Sequence, residues 1–270
     1  MISDFTHATL GNTGIPVHRL GFSASYRPGK RTIHKAIDSG LNLFFGFGID
    51  TQMTAVMRDV LKTHRERVVL ATGAYNLIVG HPNLRRSLEK RLRQFGTEYI
   101  DLFLYLGVMK EKEFPENVRQ ELLRFKEEGK VRAVGISTHN RTFAGRLAAD
   151  GALDVLMIRY NAAHRGAEQD IFPHLQGHNP GLISYTATRW TYLIRRPRQW
   201  PKQAAVPTAG QCYRFVLSNP NADVCLTAPR NLKQFEENLA SLNSGPLSEE
   251  ENALMVRIGD EVHHTKKWFM

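Results

Sequence analysis

Apolar runs of strand length alternate with helical stretches along almost the whole of this 270-residue chain, and no other feature limits its fold so tightly. The clearest unit is AIDSGLNLFFGFGID, where an amphipathic helix stops at Gly40 and an apolar strand follows at once. A strand apolar on both faces, entered directly from a helix, belongs to a parallel sheet covered on both sides. Further strands are expected at VVLATGAY, IDLFLYLGV, VRAVGIS, DVLMIRYN, GLISYTAT and DVCLTA. Helices are expected over 30–39, 51–64, 82–95, 115–128, 142–149, 167–175, 210–218 and 232–242. Asp50 or Thr51 would cap the second of these. The segment LGNTGIPVHRLGF reads as an N-terminal hairpin turned at Asn12-Thr13-Gly14 that leads into a first strand. A last helix over 248–263 lies outside the count.

Eight such units point to a single α/β domain over 1–270, a (β/α)8 TIM barrel with an N-terminal β-hairpin and an extra C-terminal helix. A doubly wound sheet would carry a Gly-rich turn after its first strand, and none is present. The loosest region is the insert RWTYLIRRPRQWPKQAAVPT before the seventh helix.

Composition then narrows the function. With 42% hydrophobic residues the chain can bury a large core, which excludes disorder. There is no run of eighteen apolar residues for a membrane span, and MISDFTHATL lacks the pattern of a secretory signal. Two cysteines, Cys212 and Cys225, form no zinc or iron–sulfur pattern, and a cytoplasmic location is the expectation. The eleven histidines form no HExxH or His-x-His signature, so no metal is expected. A net charge of +10 raises nucleic acid as a partner, but the basic residues are scattered. In PNLRRSLEKRLRQFG they lie off the apolar stripe of Leu84, Leu88, Leu92 and Phe95, with Glu89 and Arg93 an i,i+4 pair. The cluster Arg195, Arg196 and Arg198 has no nucleic-acid motif around it. A small-molecule substrate is expected, without nucleic acid or membrane; oligomeric state is not readable.

Five segments carry a resemblance: LGNTGIPVHRLGF, GLNLFF, TEYIDLFLYL, EEGKVRAVGIS and CLTAPRNLKQFEENLASL. In order and spacing the chain resembles the aldo/keto reductases, NADP(H)-dependent carbonyl reductases built on a TIM barrel with the site at the C-terminal strand ends. The family's catalytic residues do not carry over. Its Asp aligns with Phe45, its Lys with Gly73, its His with Leu106, and its Tyr falls at Asp50 when no gap is allowed. Carbonyl reduction of the usual kind needs a proton donor activated by a neighbouring cation, which Phe, Gly and Leu cannot supply.

The cofactor side is better kept. The resemblance implies that Ser137 and Thr138 hold the nicotinamide carboxamide, with Met157 in place of a Gln, and that Tyr185 stacks on the ring. Arg230 and Asn231 would meet the 2′-phosphate at a helix N-terminus, with Gln234, Glu237 and Asn238 on the adenine side. Each has a plainer alternative: Ser137 and Thr138 as helix caps, Tyr185 as core, Glu237 and Asn238 as helix surface.

Other residues could carry a different chemistry. Met157, Arg159 and Asn161 share one face of their strand by period-two alternation, the face turned into the barrel. An Arg there is either in an internal salt bridge or holds an anion. Asp50, His139 and His164 are candidate proton-exchanging groups, and Arg165, Tyr75, Tyr105, Arg189 and Trp190 also fall near strand ends. The reading is therefore an NADP(H)-dependent oxidoreductase with non-standard catalytic residues and an anionic small-molecule substrate. The alternatives are a catalytically inactive ligand-binding or regulatory barrel, or a lyase or isomerase.

Overall fold

The computed structural model describes residues 4–75 and 83–265. A hairpin of β1 (His7–Thr9) and β2 (Pro16–His18) pairs antiparallel, His7 opposite His18, and its turn ends on Gly14 at a φ of 70° that favours glycine. Eight parallel strands follow: β3 (Leu20–Ser23), β4 (Leu43–Phe45), β5 (Val69–Tyr75), β6 (Ile100–Val108), β7 (Val131–Thr138), β8 (Val155–Arg159), β9 (Gly181–Tyr185) and β10 (Val224–Thr227). They pair in sequence order, and β10 returns to β3 with Cys225 opposite Leu20, so the barrel is closed. Between and after them run α1 (Lys30–Asp38), α2 (Thr51–Thr63), α3 (Leu84–Phe95), α4 (Glu116–Glu127), α5 (Arg141–Asp150), α6 (Ala167–Asp170), α7 (Ala209–Ser218), α8 (Leu232–Ala240) and α9 (Glu249–Thr265).

Strand alternation divides the apolar residues into two cores. Phe22, Phe44, Phe103, Ile136 and Leu156 face outward and pack under the helices. Leu43, Phe45, Leu104, Leu106, Val155, Met157 and Leu226 face inward and fill the barrel. Leu10, Ile15 and Val17 of the hairpin join this inner core and close its lower end. At Gly73 the strands approach closely: a Cβ there would run into the Leu104 carbonyl oxygen.

Polar groups at the lower end are tied down. The Asp223 carboxylate accepts from the Gly11 N–H at 3.2 Å and the Leu182 N–H at 2.8 Å, clamping the hairpin to the barrel. Arg19, buried, donates to the carbonyls of Leu217 and Ala222. Asp101, with no exposed surface, accepts from Arg65 at 2.7 Å, Arg132 at 2.9 Å and the Leu70 N–H at 2.8 Å.

The structure amends several local expectations. The sixth helix is one α-turn followed by a 3-10 turn over Phe172–His174, since Pro173 has no N–H to continue it. Glu89 bonds Lys130 at 2.7 Å rather than Arg93 on its own helix, and Arg85 reaches Glu121 and Glu128 of α4. Helix α5 is capped by Asn140, whose side chain accepts from the Phe143 N–H, and not by Ser137 or Thr138. Asp50 occupies the N-cap position of α2, but its side chain makes no capping bond. Pro82, expected to open the third helix, lies outside the described residues.

Candidate active site

The upper strand ends open into a cavity of about 380 Å³. Its floor is apolar because inward positions near the strand ends are Phe45 on β4, Leu106 on β6, Met157 on β8 and Leu226 on β10, all buried. Ser23 and Ser137 contribute the hydroxyls on the wall, and Ser137 Oγ accepts from the Gly107 N–H at 2.9 Å. Aromatic side chains form the rim. Phe47 meets Phe45 edge-on at 4.8 Å and stacks on Tyr75 at 6.3 Å, while Tyr26, Tyr75 and Trp190 are exposed.

Tyr185, the last residue of β9, forms part of a partition. Its hydroxyl is 3.0 Å from Nε2 of His139, which follows β7 directly. Behind the pair lies a second space of about 280 Å³, lined by Met109, His139, Arg159, Tyr185, Thr186, Arg189 and Trp190. Arg159 ends β8 and points to the barrel side, as period-two alternation with Met157 requires. Arg189 is 97% buried, on a loop where Thr186, Arg189, Trp190 and Thr191 all hold positive φ between 50° and 73°. Non-glycine residues adopt that region at a cost, so the loop is held in place by its surroundings. Burial lowers the pKa of both guanidiniums, and each of the charges of Arg189 and Arg141 lowers that of Arg159 further.

A gap of about 10 Å³, room for one water, adjoins this space between Thr138, His139, Arg141, Ile158, Arg159, His164 and Ile171. His139 Nδ1 and His164 Nε2 are both buried without a hydrogen-bond partner. Burial, and then the charge of Arg159, lowers the pKa of His139 to about 4 and that of His164 to about 3. Both imidazoles are therefore neutral at pH 7. His164 also packs edge-on against His263 of α9, 5.4 Å away.

The structure thus brings Arg159, His139 and His164 together, with Tyr185 beside them. Asp50 stands apart: it does not line the cavity, both its carboxylate oxygens are buried without hydrogen bonds, and burial raises its pKa. Tyr105 faces outward, against Phe114 in the outer core. Arg165 holds Asp260 of α9 at 2.7 Å.

Of the nucleotide-side candidates, Ser137 and Tyr185 line the main cavity. Thr138 is on the outward face of β7 with its Oγ1 accepting from the Asn140 N–H. The same cavity runs to Tyr26 and Ala228, and the Arg230 guanidinium lies over the Tyr26 ring at 5.1 Å, at the head of α8. Asn231 and Gln234 cap that helix: Asn231 accepts from the Gln234 N–H, and the Gln234 side chain accepts from the Arg230 N–H. Glu237 is exposed beside Lys233. Asn238 is buried, contrary to the helix-surface alternative, and donates to Thr227 Oγ1, which bonds Tyr213.

Sequence reasoning missed Tyr26, Phe47, Met109 and Arg141. The first three sit in loops directly after strands, a position that could have nominated them. Arg141 had no such signal, because it opens a helix and bonds Asp170.

Among the described residues no group of three His, Cys, Asp or Glu side chains could hold a metal ion, and no helix is long and apolar enough to cross a membrane. The family model of the aldo/keto reductase family matches residues 29–196. L-galactose dehydrogenase of Arabidopsis thaliana is 23% identical over 86% of this chain and 86% of its own length. Aldo-keto reductase YhdN of Bacillus subtilis is 24% identical over 66% of this chain and 61% of its own. Among solved structures, the holo form of an aldo-keto reductase from Bacillus halodurans superposes with a TM-score of 0.78 at 19% identity, over 94% of this chain and 96% of that one. An aldo/keto reductase from Klebsiella pneumoniae in complex with NADP and acetate superposes with a TM-score of 0.76 at 20% identity, over 94% of this chain and 95% of that one.

Proposed function

This chain belongs to the aldo/keto reductase family, and from that premise we propose that it is an NADP(H)-dependent oxidoreductase with non-standard catalytic residues, acting on an anionic small molecule. One observation carries the cofactor: a single cavity extends from Ser137 and Tyr185 to Tyr26, whose ring supports Arg230 at the head of α8. A dinucleotide needs that combination of an aromatic wall at one end and a cationic helix N-terminus at the other. The Klebsiella pneumoniae neighbour, which is in complex with NADP, supports the same reading.

A bound nicotinamide would supply the hydride chemistry. Tyr185 and Ser137 would hold its nicotinamide end. Arg230 would supply charge for the 2′-phosphate, while Asn231 and Gln234 hold the helix end in place. Glu237 and Asn238 would serve the adenine side, and Thr138, facing outward, would act only through the position of its strand. Cys212 and Cys225 are buried and free, in keeping with a reducing cytoplasm.

On the substrate side Arg159 orients an anionic group. His139 or His164 would exchange the proton, and Asp50 does not line the cavity. Both imidazoles are neutral at pH 7, and the burial and Arg159 charge that keep them so also make them weak bases.

The apolar floor favours one second reading, a barrel that binds its ligand without turnover. Calorimetric titration separates the two. NADPH should bind, NADH more weakly, and Arg230→Ala should cost NADPH about 1–3 kcal/mol, the range for a charge-assisted contact. No heat with millimolar NADPH would leave the binding barrel. Simple aldehydes and ketones should be reduced at trace rates only, since Phe45, Gly73 and Leu106 offer no activated donor. Brisk NADPH oxidation over a panel of such carbonyls would show that the donor has been rebuilt elsewhere in the cavity.

A further inference from the structure

The cluster Arg195, Arg196 and Arg198, which the chemistry above does not use, lies in the insert between β9 and α7. The insert is held in a defined shape. Trp200 is buried, its Nε1 donates to the Ala205 carbonyl at 3.0 Å, and the Arg257 guanidinium of α9 covers its ring at 5.1 Å. The Trp200 N–H donates to the Pro197 carbonyl at 3.1 Å, and Arg196 donates to the Pro201 carbonyl. All three arginines line a space of about 370 Å³ between the insert and the last turns of α9, which contribute Glu261 and Thr265. Among the described residues it shares no lining residue with the main cavity or with the space behind Tyr185. None of the three arginines is ion-paired among the described residues, so three positive charges stand against the one carboxylate there. A second observation lies on the α9 wall. Glu261 Oε1 is buried without a hydrogen-bond partner, because the neighbouring Thr265 hydroxyl donates to the Glu261 backbone carbonyl instead. Buried oxygens of this kind normally accept a bond. The space thus combines a cationic wall with an acceptor that lacks its donor.

We propose that this space is a second ligand site, for a small phosphate ester that carries hydroxyl groups, such as a sugar phosphate. The phosphate meets the guanidiniums, whose planar donors match its oxygens, and a hydroxyl of the same molecule donates to Glu261 Oε1. Each half of the site excludes a class of ligand. A bare anion leaves the carboxylate oxygen without a donor and is repelled by it, and a neutral sugar gains nothing from the guanidiniums. The space is large enough for a molecule of this size. The arginines are exposed, so binding weakens as salt rises. Tyr192 also lines the space, and its ring lies 6.0 Å from the guanidinium of Arg189, so the ligand sits one side chain from the strained loop of the partition. The site does not depend on the redox reading above.

The test is calorimetric titration of the full chain at low salt with ribose 5-phosphate, inorganic phosphate and ribose, with and without saturating NADPH. Ribose 5-phosphate should bind about fivefold or more tightly than phosphate, and ribose should give no measurable heat. Combining Arg195→Ala, Arg196→Ala and Arg198→Ala should weaken ribose 5-phosphate by about tenfold or more. Glu261→Ala should remove the preference over phosphate. Denaturant midpoints report whether each variant is folded, and the wild-type comparison decides the matter even if one is not. No binding of ribose 5-phosphate at millimolar concentration, equal binding of phosphate, or unchanged affinity in the triple variant would overturn the proposal. So would displacement by NADPH, which would make the space part of the nucleotide seat, or tighter binding of single-stranded RNA, which would make it a nucleic-acid surface. Ribose 5-phosphate binding without NADPH binding would uphold this site and overturn the redox reading instead.

Discussion

The two ends of this barrel are built from the same strands and solve opposite problems. At the lower end Leu10, Ile15 and Val17 plug the opening, and most of the charged groups buried there are paired or hydrogen-bonded. Asp101 holds two guanidiniums and a backbone N–H, and Asp223 holds the hairpin. Arg65 Nε is an exception, but its other nitrogens bond Val68, Tyr99 and Asp101. At the upper end the carboxylate of Asp50 and ring nitrogens of His139 and His164 are buried without partners, and large apolar side chains stand exposed. Closure thus goes with satisfied polar groups, and the open end keeps polar groups unsatisfied. The difference is a reason to propose the site at the upper end, because unpaired buried polar groups destabilise a fold and persist where a ligand completes them.

The largest effect separating the ends should come from the lower one. Asp101→Ala leaves Arg65 and Arg132 facing a site with no exposed surface at the carboxylate position. Removing one partner from a buried ion pair costs about 3–5 kcal/mol, to be measured by chemical denaturation. NADPH affinity in the folded variant should be unchanged, since none of these residues lines the main cavity. A loss under about 1 kcal/mol would mean that the lower end is no more tightly built than the upper.

The same division explains what the sequence revealed. The barrel was legible because it depends on periodicity: each strand from Leu43–Phe45 to Val224–Thr227 lies in the apolar run that announced it, except that β7 runs one residue past VRAVGIS to Thr138. The hairpin plug was legible from its turn residues. The inward direction of Arg159 was legible too, since alternation along β8 requires no partner to be known. What the sequence withheld depends on distance across the barrel. The bond from Tyr185 to His139 joins residues 46 apart, and no pattern in either segment encodes it. The burial of Asn238 depends on Thr227 lying beneath it. The failed sixth helix is different, because Pro173 was visible throughout and should have limited it.

Acid titration should sharpen the comparison, because the two ends respond with opposite sign. At the top, burial lowers the pKa of His139 to about 4 and of His164 to about 3, against an unfolded value of 6.5. The unfolded chain then binds more protons, so stability present above pH 6.5 is lost as pH falls through these values. At the bottom, burial raises Asp223 from 3.8 to about 6. Its contribution is complete below pH 3.8 and is lost as pH rises through about 6. Each effect is on the order of 3–5 kcal/mol at its limit. The two histidines outweigh the one aspartate, so denaturant midpoints should fall between pH 7 and 4.5 in the wild type. His164→Gln should gain relative stability on acidification, and Asp223→Asn should lose it. Parallel profiles for the two variants would contradict the opposition.

The smallest effect tests whether the partition itself is structural. Tyr185→Phe removes one hydrogen bond and leaves His139 Nε2 facing the vacated position. A bond between neutral groups contributes about 0.5–1.5 kcal/mol net, so the melting temperature should fall by only a few degrees. The stacking face of the ring is kept, so NADPH affinity should change less than in Arg230→Ala. A loss of several kcal/mol in stability would mean that the upper end resists disturbance as the lower one does, and the contrast between the two would then rest on the orphaned polar atoms alone.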